Sequence, residues 1–264
     1  MLFTLMRLLR RILTTAVITL GVIALGAYWV APVTLSFDAA RKAPPAARIV
    51  PTDLKDLSVS QVPGTKVSYV GYEFEIPWDD LDASQTRQVP KDDPNPFMVA
   101  LKFRSGRFIL VSASPPRVFS EDLVREWKVP PQSLESVFER GAAQSDYSFL
   151  KNLYGFTPDK MHLWALFPSV HYREQMLLTL KTTVLSQFSV DTGIFNIQNQ
   201  YYRGFQLGDP QAHQRRIAVH LYSDDGSIEL VFGVKDPNSP AAATQPEINR
   251  IVQSVRKVPQ DRPH

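Results

Sequence analysis

The sequence predicts an α+β fold: a mostly antiparallel sheet with helices on both faces, an α/β/α sandwich, preceded by one N-terminal transmembrane helix. Three observations predict it. Short runs of alternating apolar residues recur between Gly, Asn and Asp turns, a capped amphipathic helix closes the chain, and an uncharged apolar run opens it. Strands, then helices, then strands and a last helix follow the order of an α+β domain. With 264 residues, 44% hydrophobic and 21% charged, the chain can build one large core. No repeat is visible, which excludes solenoids and propellers.

Ile12 to Ala31 carries no charge, follows Arg7, Arg10 and Arg11 in the basic segment 1–11, and is followed by Pro32. Its length, at about 1.5 Å per residue, gives roughly 30 Å, the thickness of a bilayer's hydrocarbon core. A basic start and an apolar core also describe a cleaved signal peptide, with Ala24, Gly26 and Ala27 as small residues for a peptidase. The run exceeds the roughly 7–15 residues of a signal core, and Tyr28 and Trp29 near its far end suit a membrane interface, so the anchor is the stronger reading. Three arginines lie against the near end, whereas Arg41, Lys42 and Arg48 stand well beyond the far one. That bias puts the N-terminus in the cytoplasm and the body outside it, in the periplasm or its equivalent. Residues 32–53 are rich in Pro and Ala, and Phe37 to Thr52 lacks an apolar period, which predicts a stiff, partly polyproline tether. A single globular domain, 54–258, and a short tail, 259–264, follow.

Within the domain, Val67 to Trp78 reads as one strand with Val70, Tyr72, Phe74 and Ile76 on a shared face. Asp79 to Pro96 reads as a loop in which Pro90, Pro94 and Pro96 preclude a ladder. Phe97 to Arg104 aligns Phe97, Val99, Leu101 and Phe103, turns at Ser105-Gly106 and returns over Phe108 to Ala113. Ser145 caps a short helix that buries Phe149, Leu150, Leu153 and Tyr154 and stops at Gly155, and Thr157-Pro158-Asp159 opens another. A longer helix, Ser169 to Gln187, carries the stripe Leu177, Leu180, Val184 and Phe188. Gly193 to Leu207 supplies two strands, with Phe195 and Ile197 alternating before Asn199-Gln200 and with Tyr202 and Phe205 beyond. The clearest hairpin sets Ile217, Val219 and Leu221 against Ile228, Leu230, Phe232 and Val234 across Asp224-Asp225-Gly226. Thr244 and Glu247 form a capping box, and Ile248, Ile251, Val252 and Val255 keep helical spacing. Ala100 and Val231 lie opposite the main stripes, so both sheet faces need cover.

Three stretches are similar to the PsbP-like family of α/β/α sandwiches: Val70-Gly71-Tyr72-Glu73-Phe74-Glu75-Ile76-Pro77-Trp78, the hairpin around Asp225-Gly226, and Glu247-Ile248-Asn249-Arg250-Ile251-Val252-Gln253-Ser254-Val255-Arg256. In element order the likeness covers the body from Leu54 onward. It implies a binding or accessory domain, and none of the three stretches is a catalytic motif. The middle, Ser120 to Gln187, is longer than that family's usual connection.

The net charge of +3 comes from the first three arginines, since 29 Lys and Arg less these three leaves 26, equal to the 26 Asp and Glu. A neutral body without a basic cluster excludes a nucleic-acid partner. The absence of cysteine excludes disulfides, thiolate metal sites, a thiol nucleophile and a lipidated cysteine. No nucleophile elbow, P-loop or dinucleotide fingerprint is present. His171 and Glu174 share a helix face but offer only two ligands, and they read as a solvated turn. Asp236 to Glu247 has acids at its two ends like a calcium loop, but Pro240 and Ala241 defeat that geometry. His220 reads as a hydrogen-bonded residue beneath a helix, and Asp79, Asp80 and Asp82 as solvated carboxylates of ordinary pKa. No catalytic residue, metal site or cofactor is expected.

Aromatic residues are dense from Tyr147 through Phe149, Tyr154, Phe156, Trp164 and Phe167 to Tyr172, mainly as core. The candidate ligand-binding residues are Asn199, Tyr201, Tyr202 and Arg203: adjacent tyrosines on an extended strand point oppositely, so one must leave the core beside Arg203 or Asn199. Together these features predict a membrane-anchored module, held through residues 12–31, that binds an envelope protein partner or a small ligand. The alternatives are a membrane-bound hydrolase using His220 or His171, and a structural or assembly protein of a membrane complex. A pocket joining a histidine, an acid and a hydroxyl would favour the former, and an exposed apolar patch beside the tether the latter.

Overall fold

The computed structural model describes residues 2–91, 96–116, 125, 145–165, 167–186, 193–212, 216–236 and 241–258. Helix α1 (Leu2–Lys42) leads into a mixed α+β body. The body comprises β1 (Thr52–Asp53), β2 (Thr65–Tyr69), β3 (Tyr72–Ile76), β4 (Arg87–Val89), β5 (Met98–Lys102) and β6 (Arg107–Ser114). Two helices follow, α2 (Asp146–Gly155) and α3 (Pro168–Leu185). Then come β7 (Ile194–Gln198), β8 (Arg203–Leu207), β9 (Arg216–Ser223), β10 (Gly226–Val234), α4 (Gln245–Ser254) and β11 (Arg256–Lys257). Eight strands form one sheet in the order β1-β7-β8-β9-β10-β6-β5-β4, antiparallel except where β1 meets β7, and β11-β3-β2 form a second.

The β9–β10 hairpin sets the register of the large sheet. Leu230 lies between Val219 and Val111, and Phe232 between Ile217 and Ile109. These side chains join Val99, Leu101 and Leu221 in one apolar cluster, closed by Ile248, Ile251 and Val252 of α4, by Val255 beyond it, and by Tyr72, Phe74 and Ile76 of β3. Residues of the opposite parity, among them Phe205, Leu207 and Ala218, pack with Phe149, Leu150, Leu153 and Tyr154 of α2 and Leu177 and Leu180 of α3. Successive side chains of a strand point to opposite faces, so the two clusters lie on opposite sides of the sheet. β8 and β9 approach so closely that a Cβ on Gly204 would collide with the carbonyl of His220.

Several expectations need correction. Val67 to Trp78 is a hairpin, not one strand: Val70 (φ 50°) and Gly71 (φ 82°) form the turn that pairs Tyr69 with Tyr72. Two consecutive positive φ values match the twist of a two-residue hairpin, and a valine in the first position conceals it. Tyr72, Phe74 and Ile76 are buried as the alternation requires. A short ladder does form before Pro90, because β4 pairs with β5 at the sheet edge, where a following proline removes no central bond. Phe97 precedes β5 and is exposed. Thr157-Pro158-Asp159 opens a single 3-10 turn, Pro158–Lys160, and no longer helix. Gln187 and Phe188 lie outside the described residues.

The largest difference concerns residues 32–53, which are not a free tether. α1 continues through Pro32 to Lys42, with an Asp38–Lys42 ion pair of 2.9 Å and basic residues in its last turn. A 3-10 turn, Pro45–Arg48, and β1 then carry the chain into the sheet. Tertiary packing explains the continuation: Ala39, Ala40, Ala43 and Ala47 meet Leu178, Met161 and Leu163 around α3. Among the described residues, the stretch from Thr15 is the one helix long and apolar enough to cross a membrane, as an anchor or a signal segment would be.

Candidate functional site

Arg203 at the start of β8 pairs with Tyr222 near the end of β9, so the β7–β8 and β9–β10 turns lie at the same end of the sheet. Between them, the first turn of α2 and the end of α4 is an open cleft of about 1400 Å³. Asn199, Tyr201, Tyr202 and Arg203 all line it, and the structure divides their roles. Asn199 accepts from the N–H groups of Tyr201 and Tyr202 (both 2.8 Å) and donates to the carbonyls of Val252 (2.8 Å) and Val255 (3.1 Å) at the end of α4. Its amide is fully satisfied, so Asn199 holds the turn and leaves recognition to its neighbours. Tyr202 is buried against Tyr72, ring centroids 6.1 Å apart. Tyr201 is 57% exposed, and Arg203 is exposed as well. One of the two tyrosines does leave the core, from the turn ahead of β8 rather than from within the strand.

The facing wall was not foreseen as a site. Ser145 caps α2 by accepting from the N–H of Ser148 (3.2 Å), which fixes Tyr147 in the first turn. The Tyr147 ring stacks on Phe205 at 5.4 Å and tilts toward Tyr222 at 6.4 Å. Asp146, Asp224 and Asp225 bring carboxylates to the lining. Burial first, then Tyr154, Asp146 and Glu229, push the Tyr222 hydroxyl well above its usual range. Burial, with Tyr202 and Asp225, raises Tyr72 to about 12. These phenols stay protonated at neutral pH and act as hydrogen-bonding groups. The antiparallel pairing of β8 with β9 brings the two turns together, a neighbour relation that no local sequence period displays.

The histidines are placed differently from expectation. His171 and Glu174 are both buried, not solvated, and they do not converge. His171 Nε2–H donates to the Ala165 carbonyl (3.0 Å), which leaves Nδ1 to accept from the Ser36 hydroxyl of α1 (3.1 Å). Glu174 turns to His162, accepting from its backbone N–H (2.8 Å) and meeting its Nδ1 at 2.6 Å. His220 Nε2 lies 3.4 Å from Glu229 Oε1, its cross-strand neighbour, while Glu229 Oε2 accepts from Ser112 (3.2 Å). The carboxylate therefore stands between hydroxyl and imidazole, whereas a nucleophilic relay needs the imidazole in the middle.

Asp80 and Asp82 sit below the ordinary carboxylate range, contrary to the sequence reading. Burial raises Asp80, but hydrogen bonds from Ser105 and the charge of Arg107 outweigh it, and the Ser84 hydroxyl lowers Asp82. Both carboxylates cap local turns. Glu247 accepts from the Trp78 indole and the Thr244 N–H, both at 2.8 Å, and residues 237–240 of the calcium-like stretch lie outside the described residues. Among the described residues no three His, Asp or Glu side chains gather as a metal set. No protein-family model, curated protein or solved structure matches the chain.

Proposed function

We propose that the protein is a single-pass, membrane-anchored binding module whose body faces the cell envelope and takes an extended polar ligand or a segment of a partner protein in the cleft beside Tyr201 and Arg203. The cleft's exposed tyrosine and arginine, mounted on a turn that Asn199 fixes, carry this reading. Tyr and Arg are the residue types that most often dominate recognition energy. At about 1400 Å³ the cleft exceeds the roughly 300–1000 Å³ of small-molecule pockets, which favours a chain-like ligand. The two clusters on opposite sheet faces support the α/β/α layering of the PsbP-like resemblance, and with it an accessory role. The arrangements at His171 and His220 do not support the hydrolase alternative.

The test compares what co-purifies with detergent-extracted full-length protein and with its Tyr201→Ala/Arg203→Ala double variant. Identified species held by the wild type should fall about tenfold or more in the variant, with an unchanged melting midpoint. Equal retention by both proteins overturns the reading.

A further inference from the structure

We infer that the loop ahead of α3 is a second membrane contact, with Trp164 and Phe167 lying in the interface of the bilayer that α1 spans. The inference rests on the reading of α1 as a spanning helix. Trp164 is 82% exposed, Phe167 67% and Tyr172 53%, three large rings within a short stretch. Soluble surfaces scatter such residues singly, and grouping them marks a contact. A shallow, mainly apolar hollow lined by Met161, Leu163, Trp164 and Val170 together with His162 and Arg173 opens at the same place.

The position of this patch identifies what covers it. The Trp164 ring meets Phe37 of α1 edge-on at 5.2 Å. Gln175 of α3 donates to the Ser36 hydroxyl (2.9 Å) and to the Pro32 carbonyl (3.4 Å), and Pro32 immediately follows the apolar run. At about 1.5 Å per residue, Phe37 stands roughly 9 Å beyond Ala31 along the helix, and its side chain leans back toward the span by about one residue's rise. The headgroup layer is about 5–7 Å deep on each side of the hydrocarbon. Because α3 is docked on α1 directly past the span, the loop before α3 is held at headgroup level. Tryptophan and tyrosine are the residues that favour this boundary, where rings are dehydrated and polar edges stay wet.

The native chain has no cysteine, so single cysteines can carry a polarity-sensitive fluorophore without background. Full-length Trp164→Cys, Phe167→Cys, Val22→Cys and Ser68→Cys proteins are labelled and placed in phosphatidylcholine–phosphatidylglycerol nanodiscs. Labels at 164 and 167 should emit further to the blue than at 68, and headgroup-proximal nitroxide lipids should quench them about twofold more. If 164 and 167 behave like 68 while deep nitroxides quench 22, the contact is overturned and the anchor stands. If 22 escapes lipid quenching, α1 does not span and the inference falls with it. Shielding of 164 from both lipid nitroxide and aqueous iodide overturns it in favour of a protein covering the patch.

Discussion

α4 and the α1–α3 joint are both fastened to the body, with different shares of apolar and polar contact. α4 drives Ile248, Ile251 and Val252 into the apolar cluster and adds polar bonds around it: Gln245 and Gln206 exchange amide bonds of 2.7 and 2.9 Å, and Arg250 pairs with Glu75 at 3.0 Å. At the α1–α3 joint small alanines meet Leu178, Met161 and Leu163, and buried polar side chains share the docking. Ser36 and His171 are buried and bond each other, and Lys181 bonds three backbone carbonyls. Apolar docking is roughly proportional to area and tolerates small shifts, whereas polar docking fails group by group when a partner is lost. The comparison therefore predicts different responses to substitution in the two regions.

The largest effect belongs to the apolar side. Ile251 is fully buried, so Ile251→Ala should cost about 2–5 kcal/mol of unfolding free energy, read from urea midpoints of the full-length protein in detergent. A loss below about 1 kcal/mol would place α4 among weakly packed elements and remove the contrast.

The same contrast explains what the sequence disclosed. The α4 stripe and the β9–β10 alternation are visible because apolar burial leaves a period, and both elements occur where that period puts them. The α1–α3 joint left no such trace: its acceptors include the carbonyls of Pro32, Ala165 and Ile49, a group that every residue carries. Pro32 and the prolines after it read as the end of a helix, and only the packing on α3 reverses that local preference. For the cleft, Tyr201 and Arg203 were legible as a polar–aromatic pair, on a strand rather than at the turn where Tyr201 stands. Tyr147 and Asp224 were not, because their relevance depends on which strands are neighbours.

An intermediate effect is expected at the joint. The Ser36 hydroxyl accepts from Gln175 and donates to His171, so Ser36→Ala leaves the buried His171 and the half-buried Gln175 without that partner and should cost about 1–3 kcal/mol. Hydrogen exchange should quicken at the α1 amides from Ala39 to Lys42 and stay unchanged in α4. Equal acceleration in both helices would mean that the two regions unfold as one unit and that the distinction has no energetic content.

The smallest effect is a slope rather than a loss. Lys181 is fully buried, and its Nζ donates to the carbonyls of Ile49 (2.6 Å), Tyr154 (2.9 Å) and Phe156 (2.6 Å), joining α3 to the end of α2 and to the segment before β1. Burial, with a smaller repulsion from Lys160, lowers its pKa from 10.5 to about 8. Below about pH 8 both the folded and the unfolded chain hold this proton, and the full cost of burying the charge applies. Between about 8 and 10.5 the unfolded chain binds more protons than the folded one, so stability rises with pH, by at most about 1.4 kcal/mol per pH unit. The neutral amine donates two hydrogens to three carbonyls where the ammonium donates three, which makes the observed slope shallower than that limit. Lys181→Met removes the titrating group, so the wild-type advantage over this variant should widen from pH 8 to 10. A gap that stays constant or narrows would show that the folded state favours the charged lysine, and that three carbonyl dipoles offset desolvation as fully as a carboxylate would.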